Sequence, residues 1–160
     1  MTRLLLVLTL LLMSPQEAPR GGLSVKEFEE LMSRLAQAWS AQDAELAVSC
    51  FTADAVYMQP PDQQLYRSTA ELRKLFGALK PGTFMKFHNL SFNVLTQVGF
   101  GEFSFGRDRS PKADHGVVVV ELRGGRIGFW REYLQEGPSD FAQFVAQEGK
   151  TWKWTIKNYP

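Results

Sequence analysis

Apolar residues after Val25 recur at helical spacing: Phe28, Leu31, Met32, Leu35 and the pair Ala38/Trp39. Residues three and four apart share one helix face, and Ser24-Val25-Lys26-Glu27 has the form of a capping box, so the pattern predicts a first helix to about Ala41. Asp43 is placed to cap a second, shorter helix carrying Leu46, Ala47, Cys50 and Phe51. Ala55 to Gln59 reads as a short strand stopped by Pro60-Pro61, because proline has no amide to give to a sheet. Ser68-Thr69-Ala70-Glu71 is a second capping box. It opens a third helix with Leu72, Leu75, Phe76 and Leu79, which Pro81-Gly82 ends.

Beyond Thr83 the period changes to two. Phe84 to Val98, Phe100 to Arg107, Asp114 to Arg123 and Arg126 to Gln135 read as strands, and Gly124-Gly125 supplies the positive φ angles of a tight hairpin turn. Val117-Val118-Val119-Val120 is apolar on both faces. On the returning strand Ile127, Phe129, Arg131 and Tyr133 share one face, while Trp130, Glu132 and Leu134 share the other. A carboxylate on that second face belongs at a rim, in a pair, or in the wall of a polar pocket. Arg131, facing away from it, suits a salt bridge or a subunit contact. Ser139 is placed to cap a last turn with Phe141, Phe144 and Val145, and Trp152 to Ile156 alternates like an edge strand. Helices first and consecutive strands later predict an α+β domain: a cone-shaped, curved antiparallel sheet of four to six strands packed on three N-terminal helices, with room for a cavity between them.

Composition narrows the function. A chain of 160 residues, 44% hydrophobic, suits one globular domain, here residues 23–160, and a net charge of +1 gives no reason to expect nucleic acid. Twelve phenylalanines and four tryptophans suggest a ring-lined interior. Cys50 is the only cysteine, so no intrachain disulfide forms, and the two histidines, His88 and His115, lie far apart with no metal-ligand spacing. Gly99-x-Gly101 lies between strands, without the helix start that a phosphate needs. The first 22 residues read as a leader: Thr2-Arg3, an apolar run from Leu4 to Met13, then a polar exit through Pro19. The run is shorter than the ~20 residues of a membrane span, so export without an integral span is expected. The other reading is a cytoplasmic protein that starts at Met13.

Several residues together carry a family resemblance. Trp39-x-x-x-Asp43, Phe51-x-x-Asp54-Ala55-Val56, Tyr66 before the third helix, and Gly125-Arg126-Ile127 followed by Trp130-Arg131-Glu132-Tyr133 resemble the SnoaL-like family of the nuclear transport factor 2-like superfamily, over Val25 to Val145. That superfamily includes ketosteroid isomerases, limonene-epoxide hydrolases and polyketide cyclases. Where the isomerases carry an aspartate base before the proline after their first strand, this chain has Gln59. Leu35 stands at their oxyanion-hole tyrosine, and their protonated aspartate falls near His115. That chemistry is not expected, since an amide cannot take a proton at neutral pH. The epoxide hydrolases match better. Their water-holding carboxylate, tyrosine and amide correspond to Glu132, Tyr57 and Gln59. Glu102 meets their acid with a shift of one residue, and Phe100 then stands at their arginine.

The resemblance implies a cofactor-free, metal-free pocket for an apolar small molecule. The catalytic candidates are Glu132 as base, Glu102 and His115; the substrate-binding candidates are Tyr57, Gln59, Trp39, Trp130 and Leu134. Hydration or proton transfer is one reading. The alternative is a non-catalytic binding or assembly domain, forming a homodimer through the outer sheet face with Ile127, Phe129 and Tyr133.

Overall fold

A computed structural model describes residues 19–60 and 63–146 of the chain. Its elements are α1 (Val25–Ser40), α2 (Ala44–Ser49), β1 (Phe51–Gln59), β2 (Gln64–Arg67), α3 (Thr69–Gly77), β3 (Thr83–Asn93), β4 (Val98–Arg107), β5 (Lys112–Arg123), β6 (Arg126–Pro138) and α4 (Phe141–Val145). The six strands form one curved, unclosed sheet in the order β2-β1-β6-β5-β4-β3. The N-terminal helices cover its concave face. Most of the proposed leader, and the Trp152–Ile156 strand, lie outside the described residues.

The α1 capping box forms as expected: Glu27 N–H donates to Ser24 Oγ and Ser24 N–H donates to Glu27 Oε2. Phe28, Leu31, Met32, Leu35, Ala38 and Trp39 form the buried stripe of α1. The second box does not form. Ser68 has φ 85° and caps nothing with its side chain, and Glu71 instead accepts the Arg67 N–H. At α4 the capping oxygen comes from Asp140, whose carboxylate accepts the Gln143 N–H, and not from Ser139.

Strand boundaries differ from the sequence pattern in three places. Cys50 and Phe51 leave α2, because β1 already starts at Phe51. The run from Phe84 to Val98 breaks into a turn before β4, where Gln97 takes φ 55° and its side chain donates to the Val94 and Leu23 carbonyls. Gln64–Arg67 adds a short edge strand on β1. The sheet is also mixed: β1 runs parallel to β6, with Tyr57 opposite Trp130, while every other pair is antiparallel.

Two bulges decide which side chains face the core. Between Glu121 and Leu122 the β5–β6 register shifts and leaves Gly128 unpaired. Ile127 is thereby turned into the buried core with Trp130, which corrects its expected place on the outer face. A second bulge at His88 rephases β3. Val118 and Val120 point inward and are fully buried. Phe100, Val117 and Tyr133 stand outward, 48%, 44% and 51% exposed. Arg131, also outward, forms no ion pair among the described residues; its guanidinium lies 5.5 Å over the Phe129 ring. Among the described residues no helix is long and apolar enough to cross a membrane.

Gly116 sits where a Cβ would run into the backbone carbonyl of Tyr133, whereas one on Gly77, in the last turn of α3, would meet nothing within 4 Å. Gly116→Ala should therefore cost about 1–3 kcal/mol in urea unfolding, and Gly77→Ala should add about 0.5–1 kcal/mol.

Candidate functional site

Glu132 is 3% exposed, on the concave side of β6. The β1–β6 register sets Tyr57 beside Trp130, and the two rings stack with centroids 5.7 Å apart and planes 8° apart. Tyr57 Oη donates to Glu132 Oε1 at 2.7 Å, and Trp130 Nε1 donates to Glu132 Oε2 at 2.8 Å. Each carboxylate oxygen thus has one fixed donor and retains acceptor capacity. Alternation along β6 explains the Trp130 bond, since residues two apart point the same way.

Burial pushes the Glu132 carboxyl above its ordinary range; the Tyr57 and Trp130 hydrogen bonds oppose this, and the nearby Asp114 charge adds to it. Burial first, then the Glu132 charge and hydrogen bond, hold the Tyr57 phenol well above its usual value. Tyr57 therefore stays a donor.

The carboxylate lines a cavity of about 350 Å³ between sheet and helices. Trp39, Tyr57, Gln59 and Leu134 share that wall. Gln59 Nε2 donates to Gln63 Oε1 at 2.8 Å. The indole N–H of Trp39 is buried and has no hydrogen-bond partner. Trp130 does not line the cavity: it is fully buried behind Tyr57, where it holds Glu132 in place. Phe103, Phe105 and Asp114, which the sequence reading missed, also line it, as do the amides of Gln63 and Gln64. The missed signal for Asp114 is its position on β5: it lies four residues before Val118, Glu132's partner, and so faces the same side. Burial first, then the Glu136 charge, raises the Asp114 carboxyl.

Glu102 and His115 do not join this site. Glu102 pairs with outward-facing Val117 and accepts from Asn89 Nδ2 at 2.5 Å. His115 is buried under α4 on the same outer side, stacked on Phe144 with centroids 4.2 Å apart. Its Nε2 donates to the Pro138 carbonyl at 2.7 Å, and its Nδ1 is hydrogen-bonded to Ser104 Oγ at 2.7 Å. Ser104 in turn lies 2.6 Å from His88 Nε2. That chain ties β3, β4, β5 and β6 together, while α4 is held by Phe141 stacked on His88 and Phe144 on His115. Phe100, also outward, places nothing at Glu132. Among the described residues no three His, Cys, Asp or Glu side chains gather as a metal would need.

A curved sheet capped by helices around a half-polar hollow defines a nuclear transport factor 2-like protein. The model of the SnoaL-like domain matches residues 32–130, more than half of the chain, and the protein belongs to that family. Its fold is similar to a cystatin-like protein of unknown function from Methylobium petroleophilum (TM-score 0.64, 18% identity, 84% of this chain and 99% of that one). It is also similar to an epoxide hydrolase of the limonene-epoxide hydrolase-like type from M. tuberculosis (TM-score 0.57, 18% identity, 69% and 84%). A third relative is an epoxide hydrolase/cyclase-like enzyme of pyran-ring formation in the polyether salinomycin (TM-score 0.61, 16% identity, 71% and 96%). At these identities the likeness concerns the fold. No curated protein matches the chain.

Tyr57→Phe removes a donor that favours ionised Glu132. It should cost about 1–3 kcal/mol at neutral pH and less in acid, where the carboxyl is protonated. Urea titrations at both pH values check this; an equal cost at each would show that the bond does not serve the charge.

Proposed function

We propose that the concave cavity binds an apolar small molecule and that Glu132 acts there as a general base in hydration or proton transfer. The observation that supports this reading best is the buried carboxylate itself, fixed by two donors in a wall where rings and aliphatic side chains alternate with the amides of Gln59, Gln63 and Gln64. A carboxylate raised by burial is a stronger base than one in water.

On an epoxide the step would run as follows. A water held by Glu132 loses a proton to the carboxylate as its oxygen attacks a ring carbon. The carbon–oxygen bond of the ring breaks, and the leaving oxygen takes a proton from the Asp114 carboxyl. Exchange with solvent returns the proton from Glu132 and restores the one on Asp114, so the net change is addition of one water. The similar M. tuberculosis protein is an epoxide hydrolase, which supports this reading.

Glu132→Gln tests the role of the base. Turnover of apolar epoxides should fall by about 10²–10⁴-fold. Stability should not fall at pH 7: because the folded Glu132 pKa is raised, ionising the carboxylate costs stability as pH climbs through that value, and the neutral amide escapes this cost. Undiminished turnover in this variant would refute the base role.

The second reading, a non-catalytic assembly domain, draws support from the outward strip of Phe100, Val117 and Tyr133. Sedimentation should then show a dimer that Tyr133→Glu disperses, and Glu132→Gln should leave that dimer intact.

A further inference from the structure

Asp114 stands at one end of β5, between the Glu132 cavity and a neighbouring hollow. This second hollow, of about 410 Å³, lies next to the cavity, with Phe105 and Asp114 lining both. The strand periods place both on the concave side. Phe103, Phe105 and Arg107 alternate along β4, and Lys112 and Asp114 do so along β5. The concave face thus presents, in order, Glu132, Phe103 and Phe105, and then Arg107 and Lys112 at the β4–β5 loop.

Charge along this face is mixed, with Asp114 lining both hollows and Glu136, Arg107 and Lys112 lining the outer one. Glu132 stands at the inner end. Toward the loop, Glu136 is paired with Lys112 Nζ. Arg107 lines the outer hollow, and among the described residues no carboxylate lies within 4.0 Å of its guanidinium. From Val118, the partner of Glu132, to Lys112 is six residues along β5, roughly 20 Å at ~3.3 Å per residue.

We propose that the ligand is a long-chain monocarboxylic acid, its carboxylate held by Arg107 beside Lys112 and its hydrocarbon body laid along the ring-lined face to Glu132. The proposal rests on the reading of the Glu132 cavity as the ligand site and adds the substrate class. Orientation follows from charge: the Glu132 end repels a carboxylate and the Arg107 end attracts it. Any group that reacts at Glu132 therefore sits well down the chain from the acid. A short acid cannot satisfy both ends at once.

Isothermal titration of the wild-type chain with hexadecanoic acid, hexadecanol, hexadecylamine and hexanoic acid tests this, with Arg107→Gln as the variant. Hexadecanoic acid should bind at least about tenfold tighter than the other three, since a guanidinium–carboxylate contact is among the stronger hydrogen bonds. Arg107→Gln should remove that advantage and leave hexadecanol affinity unchanged, which also reports an intact cavity. Hexadecanol or hexadecylamine binding as tightly as the acid, or an acid affinity indifferent to Arg107→Gln, would overturn the substrate class while leaving Glu132 as base untouched. If none of the long-chain compounds binds, the cavity itself fails as the ligand site and both readings fall.

Discussion

The arrangement depends on how one buried charge is accommodated. A carboxylate taken from water into an apolar interior is costly unless donors meet it. Glu132 has two, each on a ring that is itself stacked against the other. Both rings also belong to the core, Tyr57 against Tyr66 and Trp39, Trp130 against Phe51 and Phe103. Core packing therefore orients the donors before any ligand arrives.

Parallel pairing of β1 with β6 makes this possible. The chain crosses from the first strand through α3 and four more strand passes before β6 returns beside it. Tyr57 and Trp130 meet at one register position, and Met58 and Arg131 at the next. A slip of one residue would send Tyr57 to the outer side and leave Glu132 with one donor. Bulges set the phase elsewhere. Gly128 lets Ile127 and Trp130 both face the core, and His88 lets β3 place Phe87 and Leu90 on the inner side while its own ring reaches Ser104.

The two sides of the sheet thus have different tasks. The concave side holds the acid, the cavity and the neighbouring hollow lined by Arg107. On the convex side α4 is held by Phe141 stacked on His88 and Phe144 on His115, and Phe100, Val117 and Tyr133 are left in solvent. Glu102 and His115, chemically eligible as acids or bases, lie on the convex side for no reason except strand phase. Asp114, adjacent to His115, lies on the cavity side for the same reason.

Much of this was readable in the residues. The periodicity of α1, the Gly124-Gly125 turn and the helices-then-strands order all follow from local preference and burial of one face, which the chain encodes within a few neighbouring positions. The Trp130-Glu132 pair, two apart on one strand, was legible too, as was the shared face of Tyr57 and Gln59. Other features needed distant partners. Strand β2 has too little apolar alternation to announce itself without β1, and Ser68 loses its capping role because its backbone must turn from β2 into α3. A bulge is invisible to a period-two reading, because its extra residue is defined by the neighbouring strand. The amino-acid order by itself determined the class of domain and the acid worth watching. Tertiary structure alone decided which carboxylates share a hollow with it, since strand phase and register are settled by pairing across the sheet and not along the chain.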